Sequence, residues 1–118
     1  MRLDELQVYQ LSMDLGEKTW SCIDKWDYFS KDTIGKQLIR AVDSVAANIS
    51  EGFGLFHYNE SKHFYYYSRG SLYESKTWLT KAKNRNLITE EIFIEFEKEI
   101  IKLGVKLNNY INSIGKKQ

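Results

Sequence analysis

QLIRAVDSVAANISEGFG, residues 37–54, carries two unlike periodic faces. Ile34, Leu38, Ala41, Val42, Val45 and Ile49 recur at steps of three and four, which stacks them on one side of a helix. Gln37, Arg40, Ser44, Asn48 and Glu51 recur as regularly, about a quarter-turn away. A polar stripe beside a core stripe is either a buried hydrogen-bond network or a binding edge. Neither resembles a catalytic arrangement.

Outward from this stretch the chain reads as three more helices. Proline is absent, so nothing breaks a periodic segment from within. The first helix is expected over roughly Leu3 to Trp26. Ser30 and Asp32 are candidate N-caps for the second, and Gly52 and Gly54 its left-handed C-cap. Asn59 or Ser61 can open the third helix, which reaches about Asn84. Thr89, followed by Glu90 and Glu91, opens the fourth with acids at the positive end of its dipole.

The fourth segment has the cleanest pattern, Phe93, Phe96, Ile100, Leu103, Leu107, Tyr110 and Ile114. Such spacing makes the seam of a bundle packed at shallow angles. The matching face of the third is Phe64, Ser68, Ser71, Leu72, Ser75, Leu79 and Ala82, whose serines allow close approach. Short joints between long helices favour antiparallel neighbours. The expected fold is all-α, an up-down-up-down four-helix bundle forming one domain over residues 1–118.

Two helices offer more apolar surface than one bundle uses. The first carries Val8, Leu11, Leu15, Cys22 and Trp26 on one stripe and Leu6, Tyr9, Met13 and Trp20 on another. On the third, Tyr66 and Tyr73 lie opposite the serine seam. Such surplus predicts self-association.

At 118 residues the chain can bury about two-thirds of its unfolded surface. Net charge is only +1, so no whole-protein field draws it to nucleic acid or anionic lipid. The charge is uneven: residues 1–29 balance to −3 and residues 57–85 to +4. Cys22 is alone, which excludes an internal disulfide and a cysteine zinc site. The opening residues read as amphipathic helix rather than leader, and no apolar run reaches the ~18 residues of a membrane span. The expected location is cytoplasmic, with no membrane partner.

The segments Gln37-Leu38-Ile39-Arg40-Ala41, Ser44-Val45 and Asn48-Ile49-Ser50-Glu51-Gly52 resemble a signature of the bacterial four helix bundle proteins of the 23S rRNA intervening-sequence type. Gly70-Ser71-Leu72-Tyr73-Glu74 resembles the family's second signature. The resemblance covers nearly the whole chain. It implies an antiparallel bundle assembled into a ring, a homopentamer. A distant bundle relative is an accessory protein of a reverse transcriptase and binds nucleic acid. This chain departs from the family pattern with Ser30 where proline is common and Leu55 where arginine is common; losing that arginine weakens a nucleic-acid edge.

Two constellations are the candidate sites. Arg40, Ser44, Asn48 and Glu51, with Glu74, are read as a structural polar network in which a glutamate pairs with Arg40 and sets helix register. A ligand or RNA edge is the sharper alternative. Lys62, Tyr66, Arg69, Tyr73 and Lys76 interleave cations and aromatics on the outer face of the third helix. That pattern suits a protein interface, a solvated face or single-stranded nucleic acid. A −3 segment on one subunit meeting a +4 segment on another favours subunit contact.

No catalytic, cofactor-binding or metal residues are assigned, and no cofactor is expected. His57 and His63 are six apart, off the spacing of a helical metal pair. Gly52 and Gly54 follow a helix and lack a phosphate-loop continuation. Lys116 and Lys117 make a tail too short to act alone. The functional expectation is a non-enzymatic scaffold with RNA or protein as partner. The alternatives are an accessory subunit of a nucleic-acid enzyme and a small helical ribonuclease. The second would require an Arg-x4-His motif that this chain lacks.

Overall fold

The structure, a computed structural model, describes residues 1–55 and 57–114, with the backbone alone at Tyr58. The Lys116–Lys117 tail lies outside the described residues. Four long helices make the bundle: α1 (Gln7–Ile23), α2 (Lys36–Phe53), α3 (Tyr58–Asn84) and α4 (Glu90–Ser113). No strand occurs among the described residues. The body measures 50 × 23 × 21 Å, long in one direction because 27 residues of α3 rise about 40 Å.

Contacts between helices fix their directions. Val45 meets Ser68, and the next contact along, Gly52 with Tyr65, runs upward on α2 and downward on α3. Arg69 with Asn108 and Lys76 with Glu97 show the same reversal between α3 and α4. Gly16 with Asp43, and Ile23 with Gly35 just ahead of α2, show it between α1 and α2. Each helix is antiparallel to the next. The α1 and α4 helices also pack together, which closes the square.

The termini follow from local chemistry. Thr89 caps α4, its hydroxyl accepting from the Ile92 amide at 3.2 Å, as expected. The second helical region starts earlier than expected, at Tyr28, because Asp27 is the cap. Its carboxylate accepts from both the amide and the hydroxyl of Ser30, at 3.0 and 2.9 Å. Ser30 and Asp32 therefore lie past the cap. The short turn Tyr28–Ser30 and a π-helical segment, Lys31–Gly35, lead into α2.

Gly52 and Gly54 do not take the left-handed conformation; Gly54 has φ −78° and ends α2 right-handed. Gly52 is required for another reason. A Cβ there would lie 2.8 Å from the Tyr65 ring, so the glycine is the floor of an aromatic contact. The left-handed residue is Asn86, φ 61°, after α3. Asparagine tolerates that region better than most residues.

The core seam of α4 is the expected one, with Ile111 continuing the buried row and Tyr110 beside it. On α3 the serines sit inside: Ser61, Ser68 and Ser75 are buried, with Tyr65 between them. On α1 the seam differs from the expected stripe. It consists of Val8, Ser12, Leu15, Thr19 and Ile23, while Leu11, Cys22 and Trp26 are half-buried at its margin. Ser12 and Thr19 enter the core because their hydroxyls bond the carbonyls of Val8 and Leu15, at 2.6 and 2.7 Å.

Candidate functional site

The α2 polar stripe turns back on its own helix. Ser44 Oγ donates to the Arg40 carbonyl and Asn48 Nδ2 to the Ser44 carbonyl, both at 2.8 Å. Arg40 and Glu51 are exposed. Glu74 is exposed too, accepting from Trp78 Nε1 at 3.0 Å on its own helix. Among the described residues no side-chain bond or ion pair joins Arg40, Ser44, Asn48, Glu51 or Glu74 across helices. The network expected between the second and third helices does not close within one chain. A serine or asparagine side chain reaches the carbonyl one turn back at little cost, and these do. The α2–α3 register is set instead by Ser68 Oγ on the Val45 carbonyl, at 2.6 Å, and by Tyr65 against Gly52.

The α3 row is partly assembled. The Arg69 guanidinium lies 4.9 Å over the Tyr66 ring and donates to Asn108 Oδ1 at 3.0 Å. Lys76 Nζ is 3.4 Å from Glu97. Arg69, Tyr73 and Lys76 thus line a groove of about 220 Å³ between α3 and α4, floored by Gly104 and walled by Ile101 and Val105. Lys62, half-buried near the start of α3, is not part of it. Tyr66 joins only through Arg69.

Sequence reasoning missed the α4 half of this face. Ile94, Ile101 and Val105 form a second apolar stripe beside the core seam, and all three are exposed. Their spacing of seven and four was the available signal. With Tyr73 exposed to 68% and Ile101 and Val105 to 55% each, the groove is bordered by exposed apolar surface.

The α1–α2 side carries the other surplus. Trp20 is 63% exposed and Met13 is exposed too. Below them runs a valley of two hollows, of about 240 and 380 Å³, whose floor is small residues such as Ala46 and Ala47. Asp43 lies in this valley against Gly16, where a Cβ would come within 2.9 Å of its carboxylate. Burial, and then the neighbouring Glu17, push the Asp43 carboxyl above its ordinary range.

The family model for the 23S rRNA-intervening sequence protein matches residues 4–109. The chain belongs to that family. No curated protein matches it. A solved structure with the same fold is a protein of unknown function from the S23 ribosomal protein family of Bacteroides thetaiotaomicron VPI-5482. It is 17% identical, with TM-score 0.80, over 90% of this chain and 99% of that one.

Two side chains with nucleophilic atoms, Cys22 and Tyr65, are partly or fully buried. Cys22 lines a groove of about 550 Å³ between α1 and α4, with Lys18 and Lys25 at its rim. Burial pushes its thiol up, against a smaller opposing effect of Lys25, so the reactive thiolate is disfavoured. Burial and the Tyr110 hydroxyl push Tyr65 up as well. Among the described residues no group of three His, Cys, Asp or Glu could hold a metal, and no helix is long and apolar enough to cross a membrane.

Proposed function

We propose that this family member is a non-enzymatic, self-associating scaffold, a homo-oligomer of the ring kind that the family resemblance implies. The observation that carries this reading is the exposed apolar surface on two separate sides of one small bundle, Trp20 and Met13 on one and Tyr73, Ile101 and Val105 on the other. Surface of this kind is characteristic of protein contacts.

The geometry favours protein over RNA as the occupant of the α3 face. Of its cations, Arg69 is held by Asn108 and Tyr66, and Lys76 is neutralised by Glu97. A phosphate track needs a row of uncompensated cations, and here Arg69 alone keeps its charge, since Asn108 and Tyr66 are neutral while Glu97 offsets Lys76. Light scattering across a salt series, with and without a single-stranded RNA, tests the reading. The expected result is an oligomer whose mass is unchanged by RNA. A monomer at all concentrations overturns it. RNA affinity that falls steeply with salt would transfer the role to nucleic-acid binding.

A further inference from the structure

The α1–α4 side of the square, apart from both exposed apolar faces, holds the groove of about 550 Å³ that contains Cys22. Its shape follows from the sequence. Ser21 and Cys22 are small, so α1 leaves room where it faces Ile92 and Phe96 of α4. At one end Trp26, just past α1, and Leu87 and Ile88 of the α3–α4 joint line the hollow. At the other end Lys18 Nζ reaches across to Glu99 of α4, at 3.0 Å, and ties the two helices together. About two helical turns, or roughly 11 Å, separate these ends. Clefts of this volume, apolar with a few polar groups at the edge, are the usual sites of small molecules. A partner helix running along the groove would have to break the Lys18–Glu99 bridge.

The charges at the rim are not equivalent. Lys18 is offset by Glu99. Glu17 also borders the α1–α2 valley, where its charge is felt by Asp43. Lys25 pairs with no carboxylate among the described residues. Its charge reaches into the groove, where it opposes the larger effect of burial on the Cys22 thiol. One uncompensated cation therefore stands at the Trp26 end of an apolar trough. We propose that the groove binds an amphiphilic monocarboxylate, a medium-chain fatty acid whose alkyl chain lies along Cys22, Ile92 and Phe96 and whose carboxylate meets Lys25. The chain covers apolar side chains that the fold leaves half-buried, Trp26, Leu87 and Ile92 among them. The head keeps its water on one side and gains a charge-assisted bond on the other. This site is independent of the association of copies.

Titration calorimetry with decanoate, kept below its micelle threshold, tests this. The expected result is one saturable site per chain. Lys25 is exposed, so its replacement leaves the fold intact. Lys25→Gln should weaken binding about tenfold, and Lys25→Arg should keep it. Decyltrimethylammonium, with the same chain and the opposite charge, should not bind there. Cys22 is the chain's single cysteine, so it reports on this groove alone. Saturating decanoate should slow its alkylation by N-ethylmaleimide. Absence of saturable binding overturns the proposal, as does decanoate affinity unchanged in Lys25→Gln or matched by the cationic analogue. Binding that leaves the alkylation rate of Cys22 unchanged also overturns it, by placing the acid on another surface. Light scattering on the same samples reports association separately, so a monomeric protein that binds decanoate keeps the site while the scaffold reading falls.

Discussion

Ser68 donates its hydroxyl to the carbonyl of Val45, 2.6 Å away, and by this bond α3 is locked to the backbone of α2. Both residues are fully buried. A serine there does what a leucine could not: it lets two helix backbones approach and holds their register with a polar bond. Replacing it tests how much of the bundle's definition rests on that seam. Ser68→Ala should lower stability by about 1 kcal/mol, the usual net worth of a buried hydrogen bond. Ser68→Leu should cost more, since the seam has no room for the added carbons. Urea denaturation separates the two. Equal midpoints for alanine and leucine would refute a tight seam.

Gly52 and Tyr65 make the second tie between these helices. A methyl at Gly52 would meet two ring carbons of Tyr65 at 2.8 Å and the Ser61 carbonyl at 3.1 Å. The tyrosine is buried, edge-on to the Tyr110 ring with centroids 5.1 Å apart, so it has little freedom to retreat. Gly52→Ala should therefore destabilise by about 1–3 kcal/mol, despite alanine's better helix propensity. A variant more stable than the parent would show that the ring moves aside.

Gly70 gives the opposite expectation. Nothing lies within 4 Å of where its Cβ would be, and it sits in the middle of α3. Glycine inside a helix costs about 1 kcal/mol relative to alanine. Gly70→Ala should stabilise the isolated subunit by up to about that amount in chemical denaturation. Loss of stability in a monomeric background would mean that the helix has a local need for glycine that the packing does not reveal.

The bundle was legible in the sequence because its signals are local. Thr89 announces α4, and the Phe93 to Leu107 row announces its buried side. What stayed hidden were residues whose burial depends on a private hydrogen bond. Ser12 and Thr19 look like surface residues, yet each satisfies its hydroxyl on its own helix and turns inward. The cap was misplaced for a similar reason: Asp27, Ser30 and Asp32 are all credible, and only the fold shows that Asp27 holds Ser30. At the candidate sites, Arg69, Tyr73 and Lys76 were found from α3 alone. Their partners Asn108, Ile101 and Glu97 come from α4, and periodicity within one helix says nothing about its neighbour.

Asn48 belongs to the polar stripe read from the sequence as an inter-helix network, and its surroundings predict a mild phenotype. It is half-buried and bonds the Ser44 carbonyl at 2.8 Å, a group already engaged in the α2 ladder. Asn48→Leu should leave the stability of the subunit within about 0.5 kcal/mol of the parent. A loss several times larger would restore the inter-helix network. An unchanged subunit with weakened assembly would place Asn48 at a contact between copies.

Asp43 should make the subunit respond to acid in an unusual direction. Its carboxyl is raised above the ordinary range of an aspartate, first by burial and then by Glu17. A carboxyl raised in the folded state is one the fold prefers protonated. Its ionised form therefore costs stability at neutral pH, and the cost is relieved as pH falls through the folded pKa toward the unfolded one. Most folded carboxylates act the other way and lose stability on acidification. Asp43→Asn removes the charge permanently. The variant should melt higher than the parent at pH 7, with the gap narrowing as pH falls through the raised folded pKa and closed once pH is below the unfolded value of about 3.9, where both carry a neutral side chain. The measurement is the difference in Tm between the two proteins across pH. A gap that is constant with pH, or a variant that melts lower at pH 7, would mean that the Asp43 charge is stabilised in the valley.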